Sequence, residues 1–257
     1  LDQTLDAPPL KTLDRVSGED RGPRIAEPMT IIATTTSTFG CGSVAQRLTE
    51  MTAAGIQVIS NPHGRRLKSA ELVQLTAGHQ VTGIVAGTES WGPEQFKAMT
   101  GLKALVRCGA GTENVDAAAA AASGVVTDAT FDAPSQAVAE LALALILAAL
   151  RYIPEHHAGV ATGEWKRVLG GNLGGRTVGI IGCGRIGLRL GALLKGFGVH
   201  LLGYDSFRTT AGDITLVPLA ELLERSDVIS LHLPSLPSPL IGREAISVMR
   251  PGAIVVN

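Results

Sequence analysis

The residues best suited to chemistry lie in "TVGIIGCGRIG", Thr177 to Gly187. The spacing Gly-x-Gly-x-x-Gly follows a β-rich apolar run and opens a helical stretch, a context that predicts a turn around the pyrophosphate of a dinucleotide. Gly182 would let the chain turn out of the strand, and Gly184 would let the backbone approach a phosphate. Gly187 would let the helix pack closely on the strand.

The residues after these glycines complete a predicted nucleotide site. The phosphates would bind at the positive end of the helix dipole, on the first turn at Arg185 and Ile186. Eighteen residues after Gly187, the next β-rich run ends at Asp205. A carboxylate there accepts the ribose hydroxyls and repels a 2′-phosphate, which predicts NAD rather than NADP. Arg208 argues against this preference, since an arginine at that place can accommodate the 2′-phosphate of NADP. The competing interpretation is a sheet without nucleotide, in which the glycines serve only packing.

Composition and charge narrow the class of protein. Apolar residues make up 45% of the 257 residues and aromatic residues only 4%, as in helices layered on a parallel sheet. A formal net charge of −1 gives no basic field for nucleic acid or for a membrane surface. The three cysteines, Cys41, Cys108 and Cys183, have no metal-ligand spacing. We therefore expect small buried thiols, no bound metal and a reducing, cytoplasmic setting.

Short β-rich runs alternate with helical stretches from Met29 onward, a pattern typical of parallel sheets covered by helices. The predicted strands of the first series are Thr30–Thr35, Ile56–Ser60, Val81–Gly87, Lys103–Gly109 and Gly124–Asp128. Its predicted helices include Ser43–Ala54, Ser69–Thr76 and Asp116–Ala122. A second series follows the glycine-rich segment Gly170–Arg176 and alternates in the same way to the end of the sequence.

The sequence therefore predicts an α/β protein with two doubly wound parallel sheets. We expect a flexible leader over residues 1–28, a first domain over residues 29–131 and a second over residues 132–257. The second domain begins with a helix over Ser135–Arg151, whose apolar run "AVAELALALILAAL" is 14 residues long. This run is shorter than the ~20 residues that span a bilayer, so we interpret it as a buried helix.

Several motifs in order give the chain a family resemblance. They are "NPHGRRL" from Asn61, "GLKALVRCGAGTENVD" from Gly101, "SQAVAELALALILA" from Ser135, "GEWKR" from Gly163, "GGRTVGIIGCGRIG" from Gly174, "SDVISLHLPSLP" from Ser226 and "MRPGAIVVN" from Met249. Together they resemble the D-2-hydroxyacid dehydrogenases, in the branch that contains phosphoglycerate dehydrogenase. The resemblance implies a flavodoxin-like substrate domain, a Rossmann NAD-binding domain and oxidation or reduction of a small 2-hydroxy or 2-oxo acid.

The resemblance also implies roles for residues in two of these motifs. In "RCGAGTENVD", the N–H groups of Ala110 and Gly111 would bind the substrate carboxylate, as an anion nest of small residues can. The "HLP" segment, which is His232, Leu233 and Pro234, would border the adenine side of the cofactor. A plain glycine-rich turn and a structural histidine are the alternatives for these two motifs.

The same resemblance places the catalytic arginine, glutamate and histidine after the "VN" of Val256–Asn257. We therefore expect a sequence that stops within the nucleotide domain and that is inactive by itself, while the complete protein is an enzyme and a homodimer. Two alternatives remain at this point. One is a non-catalytic NAD(H)-binding or sensing module, if Asn257 is the true C-terminus. The other is a different NAD-linked enzyme on the same fold.

Overall fold

The structure of the protein is a computed structural model, and it describes residues 30–37 and 45–257. The chain forms two compact units, one ending at Phe131 and the other spanning Asp132–Asn257. The expected leader over residues 1–28, Met29, Cys41 and the predicted start of a helix at Ser43 lie outside the described residues.

The first unit contains a five-stranded parallel sheet in the order β2-β1-β3-β4-β5. Its strands are β1 (Ile31–Thr34), β2 (Gln57–Ser60), β3 (Val81–Ala86), β4 (Ala104–Arg107) and β5 (Val126–Ala129). Its helices are α1 (Ala45–Ala53), α2 (Ser69–Thr76), α3 (Pro93–Ala98) and α4 (Ala117–Ala122). The chain runs from β1 outward to β2 and then crosses to β3 on the other side of β1. The topological switch point therefore lies between β1 and β3, and the order confirms the predicted flavodoxin-like sheet.

The core of this unit forms where the helices pack on the central strands. Leu105 of β4 and Ile84 of β3 are almost fully buried, and Trp91 and Phe96 pack in the same apolar cluster. Phe96 belongs to α3, which the sequence did not predict. Six residues are too few to display a helical period, although Pro93 at the first turn is a helix-start signal.

The second unit contains a five-stranded parallel sheet in the order β10-β9-β6-β7-β8. Its strands are β6 (Thr177–Ile181), β7 (His200–Tyr204), β8 (Thr215–Leu216), β9 (Val228–Leu231) and β10 (Ile254–Val256). Its helices are α5 (Ser135–Leu150), α6 (Ile153–Ala161), α7 (Arg185–Leu194), α8 (Leu219–Arg225) and α9 (Arg243–Val248). The chain moves from β6 through β7 to β8 and then returns to β9 on the other side of β6. This switch between β6 and β9 is the Rossmann arrangement that the sequence predicted.

Helix α5 is buried on one face only, which corrects the prediction of a buried helix. Ala139, Ala142 and Ile146 pack in the core of the second unit, whereas Leu141 is 59% and Leu145 43% exposed. Residues three and four apart share one face of a helix, so a continuous apolar run supplies one buried and one exposed face. The apolar sequence of α5 therefore does not show whether its second face is buried or exposed.

Helix α6 follows α5 and was not predicted from the sequence. Tyr152 separates the two helices with a left-handed backbone at φ 51°, and no residue of α6 is buried. Within the described residues, no single helix is long and apolar enough to cross a membrane. α5 and α6 reach that length and composition only as a pair, bent by 67° between them.

The two cysteines within the described residues are both free. Cys183 is buried, as expected, but Cys108 is exposed. The expectation was wrong for Cys108 because this residue lies in the turn after β4 and outside the apolar core of the sheet.

Candidate cofactor and substrate sites

The glycine-rich turn after β6 is built around Gly182. Its φ of +90° lies in the left-handed region, which glycine adopts without strain. A Cβ at this position would lie 2.5 Å from the carbonyl oxygen of His232. The Gly182 N–H donates to the carbonyl oxygen of Tyr204 at 2.8 Å. Gly182 therefore lies where the carboxyl ends of β6, β7 and β9 meet.

The other two glycines differ in the space beside them. A Cβ on Gly187 would lie 2.2 Å from the carbonyl oxygen of Gly182, so α7 packs on the turn too closely for any side chain. A Cβ on Gly184, the N-cap of α7, would meet no atom within 4 Å. This open space adjoins the first turn of α7, at Arg185 and Ile186, and fits a phosphate group at the helix N-terminus.

Asp205 follows β7 and faces the same turn. Its Oδ2 accepts a hydrogen bond from the Cys183 N–H at 2.9 Å. Its Oδ1 accepts from the N–H groups of Phe207 at 2.9 Å and Arg208 at 3.1 Å. Each carboxylate oxygen can accept about two hydrogen bonds, so Oδ2 retains capacity for a ribose hydroxyl beside the phosphate space.

The "HLP" segment after β9 forms the opposite wall. The His232 N–H donates to the carbonyl oxygen of Ile181 at 2.8 Å, and His232 Nε2 lies 2.9 Å from Ser230 Oγ. Burial lowers the pKa of His232 to about 4, so the ring is neutral at neutral pH. Leu233 and Pro234 continue the segment as exposed residues.

These residues border one crevice at the switch point of the second sheet. In open α/β sheets, ligands bind outside the carboxyl ends of the strands at this point. The structure therefore brings together, within one unit, all of the cofactor-binding residues that the sequence predicted: Gly182, Gly184, Arg185, Ile186, Gly187, Asp205, His232, Leu233 and Pro234.

The chemistry of the groups near this crevice excludes a reactive thiol and a grouped set of metal ligands. Burial, with a smaller contribution from the Asp205 carboxylate, raises the pKa of the Cys183 thiol to about 11. The thiol is thus protonated at neutral pH and is a poor nucleophile. Among residues 30–37 and 45–257, no three His, Cys, Asp or Glu side chains are grouped so as to hold a metal ion.

The predicted carboxylate-binding turn follows β4 in the first unit. The Gly109 N–H donates to Thr130 Oγ1 at 2.8 Å. No described residue accepts a hydrogen bond from the N–H of Ala110 or Gly111, and adjacent backbone N–H groups of this kind form anion-binding nests. The Glu113 carboxylate lies beside Gly111, where an added Cβ would be 2.5 Å from Glu113 Oε2. An anion that binds the turn must therefore displace this exposed side chain.

Two polar residues that the sequence did not single out fix this turn to the end of β3. Asn114 Nδ2 donates to the carbonyl oxygens of Glu89 at 2.6 Å and Gly87 at 3.2 Å. Glu89 is only 1% exposed, and its Oε1 accepts from the Gly87 N–H at 2.8 Å and Trp91 Nε1 at 3.2 Å. A glutamate in the segment "GTESW" gives no periodic signal, so only the structure shows its burial.

The two arginines of "NPHGRRL" have different partners. Arg65 forms a two-fold hydrogen-bonded ion pair with Glu71, at 2.7 and 2.9 Å. The Arg65 hydrogen bond holds the pKa of Glu71 at about 2. Arg66 instead donates to Ser90 Oγ at 3.3 Å. Arg65 is therefore committed to a surface pair, while Arg66 faces the end of β3.

Comparison with known proteins agrees with this geometry. Residues 143–257 match the family described as "D-isomer specific 2-hydroxyacid dehydrogenase, NAD binding domain". The second unit therefore contains the NAD-binding domain of the D-2-hydroxyacid dehydrogenase family. This match confirms NAD as the predicted cofactor. In open α/β sheets a ligand binds at the switch point, which in this unit is the crevice around Gly182.

Relatives of this chain carry several enzyme names. D-3-phosphoglycerate dehydrogenase of Methanocaldococcus jannaschii is 36% identical over 201 residues, which are 75% of this chain and 36% of that protein. Glyoxylate reductase of Korarchaeum cryptofilum is 36% identical over 176 residues, 64% of this chain and 53% of that protein. The chain thus spans about a third to a half of the length of these curated relatives.

A solved structure gives the same fold. NAD+-bound 3-phosphoglycerate dehydrogenase of Entamoeba histolytica superimposes with a TM-score of 0.73 at 27% identity, covering 89% of this chain and 71% of that one. The likeness extends over both sheets.

Proposed function

We propose that the protein is an NAD-dependent oxidoreductase that transfers a hydride between nicotinamide and a small 2-hydroxy or 2-oxo acid. The crevice between β6 and β9 carries this proposal, because it combines an open phosphate space at Gly184 with a carboxylate at Asp205. The names of the relatives, phosphoglycerate dehydrogenase and glyoxylate reductase, support a 2-hydroxy acid as substrate.

The second unit binds the cofactor and the first unit binds the substrate carboxylate. In the second unit, residues 132–257, the first turn of α7 holds the pyrophosphate and Asp205 holds the adenosine ribose, while His232–Pro234 border the adenine. In the first unit, which is the substrate domain and corresponds to the predicted residues 29–131, the N–H groups of Ala110 and Gly111 hold the acid's carboxylate. The cofactor supplies the hydride, and the protein binds and orients both reactants.

Proton transfer needs a group other than His232. With a pKa of about 4, this imidazole is neutral at neutral pH, and its Nε2 already lies 2.9 Å from Ser230 Oγ. It is therefore not the protonated acid that the reduction of a 2-oxo acid needs. The family resemblance assigns the proton step to a histidine after the "VN" segment. We therefore propose that a polypeptide of residues 1–257 alone binds NADH but does not reduce a 2-oxo acid.

The preference for NAD over NADP rests on Asp205. The carboxylate accepts ribose hydroxyls and repels a 2′-phosphate, and Arg208 donates its N–H to the same carboxylate. Replacing Asp205 with alanine should weaken NADH binding about tenfold and reduce the difference in affinity between NADH and NADPH. Asp213→Ala is the control, because Asp213 pairs with Lys195 on the exposed surface of the same unit. If Asp205→Ala weakens the binding of NADH and NADPH equally, Asp205 does not determine the preference for NAD.

We also propose a homodimer and a cytoplasmic location. Among the residues that the structure describes, eight of the 17 exposed large apolar side chains lie between residues 138 and 169. A concentration of this kind marks an interaction surface. Two free thiols, Cys108 and Cys183, fit a reducing compartment.

The direct test is NADH oxidation at 340 nm by the complete protein with a panel of 2-oxo acids. We expect turnover with at least one small 2-oxo acid, and formation of the D-2-hydroxy acid. A protein that binds NADH but turns over none of the panel would support the non-catalytic binding module instead.

A further inference from the structure

The loop after β7 presents an aromatic side chain that the packing of the fold does not use. Among the residues that the structure describes, Phe207 is the most exposed of the large apolar side chains, at 97%. It lies in an exposed stretch, residues 206–210, whose other members are polar. Keeping an aromatic ring in water is unfavourable, and no described residue covers this one. Its surface is therefore free to contact a ligand or a partner.

The backbone at Phe207 is fixed beside the cofactor crevice. The Phe207 N–H donates to Asp205 Oδ1 at 2.9 Å, and the Arg208 N–H donates to the same oxygen at 3.1 Å. The second oxygen of this carboxylate, Oδ2, accepts from the Cys183 N–H in the phosphate turn at 2.9 Å. One side chain thus ties the loop to the turn, and it does so without any contact from the phenyl ring.

The chemistry of adenosine brings its base close to this loop. Asp205 is the residue proposed to hold the adenosine ribose, and a carboxylate at this place binds the 2′-hydroxyl. The base is joined to the ribose carbon next to the one that carries that hydroxyl. An adenine whose ribose is held by Asp205 therefore lies within reach of a side chain two residues further along. Adenine has two flat faces, and aromatic side chains stack on such faces.

A second apolar side chain lies on the other side of the crevice. Leu233 follows β9 and is 36% exposed. A Cβ added to Gly182 would lie 3.0 Å from Leu233 Cδ2, so this side chain lies against the phosphate turn. In the sheet, β6 lies between β7 and β9. The crevice at the end of β6 is thus bordered by Phe207 on the β7 side and by Leu233 on the β9 side.

We propose that Phe207 is a cofactor-binding residue, which stacks on one face of the adenine of NAD while Leu233 contacts the other face. This inference rests on the proposed function, because it uses the crevice to which that function assigns the cofactor. It adds an apolar contact with the base to the polar contacts with the phosphates and the ribose.

The test is the binding of ADP-ribose, which carries the adenine half of NAD and no nicotinamide, to the complete protein in isothermal titration calorimetry. Stacking of a base on an aromatic side chain raises affinity roughly 5- to 150-fold. Phe207→Ala should therefore weaken the binding of both ADP-ribose and NADH about tenfold. Phe207→Tyr, which keeps the ring, should bind both ligands within about threefold of the wild type. Because the ring is exposed, neither variant should change the midpoint of urea unfolding.

The matched control is Phe197→Ala. Phe197 is 38% exposed and belongs to the same unit. It follows the C-terminal end of α7, and the ten residues of that helix separate it from the phosphate turn by about 15 Å. Phe197→Ala should leave the affinity for ADP-ribose unchanged.

The adenine protons of ADP-ribose provide a readout that an ordinary apolar contact would not move. A ring stacked on the base shifts the proton NMR signals of adenine H2 and H8 upfield on binding. Phe207→Leu keeps an apolar side chain but removes the ring, so it should abolish most of this shift. An equal shift in the wild type and in Phe207→Leu would overturn the stacking.

Asp205→Ala separates the failure of this inference from the failure of the proposed site. If Asp205→Ala weakens ADP-ribose binding and Phe207→Ala does not, the crevice holds the cofactor but the assignment of Phe207 is wrong. If neither variant weakens it, or if the wild type does not bind ADP-ribose, the crevice is not the cofactor site and both proposals are wrong. If Phe207→Ala instead alters only the oligomeric state in sedimentation equilibrium, the ring belongs to an interface between copies and the inference is overturned. None of these measurements requires turnover.

Discussion

At the scale of single residues, the glycines of the phosphate turn show how one motif combines two physical demands. Gly182 and Gly187 are required by the fold itself, because a side chain at either would collide with backbone atoms. Gly184 is not required by the fold, since an added Cβ meets open space. The sequence motif predicts all three glycines but does not separate these reasons. The structure does, and it indicates which substitution would affect the ligand alone.

Gly184→Val should therefore impair cofactor binding without unfolding the second unit. Gly184 has an extended backbone at φ −75° and ψ −157°, which a β-branched residue adopts readily. We expect NADH binding to weaken at least about tenfold, as measured by NADH fluorescence titration, because the new side chain occupies the phosphate space.

Gly187→Ala is the matched control at the other end of the motif. The added methyl would lie 2.2 Å from the Gly182 carbonyl oxygen, and overpacking of this kind costs about 1–3 kcal/mol of folding free energy. Urea unfolding of the two variants separates the effects. Equal destabilisation by both substitutions would show that Gly184 is also a packing residue.

His232 should make the stability of the second unit depend on pH. Its folded pKa of about 4 lies below the unfolded value of about 6.5, so the unfolded chain binds the extra proton between these values. Stability should thus fall as pH falls from about 6.5 to 4, by about 1–2 kcal/mol after allowance for partial exposure. His232→Gln should remove this part of the pH dependence in urea unfolding, and His200→Gln, at an exposed position, should not. A difference between wild type and His232→Gln that stays constant with pH would contradict the buried neutral imidazole.

The residues that form and support the predicted carboxylate-binding turn of the first unit were the hardest to predict. Ala110 and Gly111 lie in a motif that the family resemblance made visible. Glu89 lies in no motif. Its buried carboxylate accepts hydrogen bonds from Thr35, which is 54 residues away in sequence, and from Trp91. These contacts form only in the folded protein, so the sequence did not indicate them.

At the scale of elements, sequence reasoning worked best where the hydrophobic period and the end signals agreed. Helix α2 was predicted with its observed bounds, Ser69–Thr76. The doubly wound type of both sheets followed from the alternation of elements and the resemblance, whereas the order of the strands comes from the structure. Helices α3 and α6 were missed because α3 is too short for a period and α6 has no buried face. The local pattern of apolar residues does not predict a helix whose formation depends on contacts with the surrounding chain.

Helix α5 offers a test of its two-faced packing. Ile146 is 0% exposed and lies in the core cluster of the second unit, so Ile146→Ala should destabilise the protein by about 2–4 kcal/mol in urea unfolding. Leu141 is on the other face and 59% exposed, so Leu141→Ala should cost less than about 0.5 kcal/mol when measured on the monomer at low protein concentration. Similar losses for both would mean that the exposed face is covered within the same chain.

At the scale of the whole molecule, the distribution of apolar surface is uneven. The exposed large apolar residues between 138 and 169 are Val138, Leu141, Leu145, Tyr152, Ile153, Val160, Trp165 and Leu169. They belong to α5, α6 and the segment that follows, all within the second unit. Trp165 is 92% and Leu169 88% exposed, and tryptophan is among the residues that most often dominate protein interfaces. The proposed homodimer would bury this surface, which we call the 138–169 surface.

A charge introduced into the 138–169 surface should therefore separate the dimer. Leu141→Arg places a cation that would be buried without a partner in the interface, and losing one such anchor costs at least about 2 kcal/mol, or roughly 30-fold in the dissociation constant. Val73→Arg is the control, since Val73 is an exposed apolar residue of α2 in the first unit. Sedimentation equilibrium of the complete protein should show a dimer for the wild type and for Val73→Arg, and a shift toward monomer for Leu141→Arg. Because Leu141 is not one of the predicted cofactor-binding residues, NADH binding per chain should be unchanged in all three. If Val73→Arg is monomeric while Leu141→Arg remains a dimer, the interface lies on the first unit. The assignment of the interface to the 138–169 surface is then wrong.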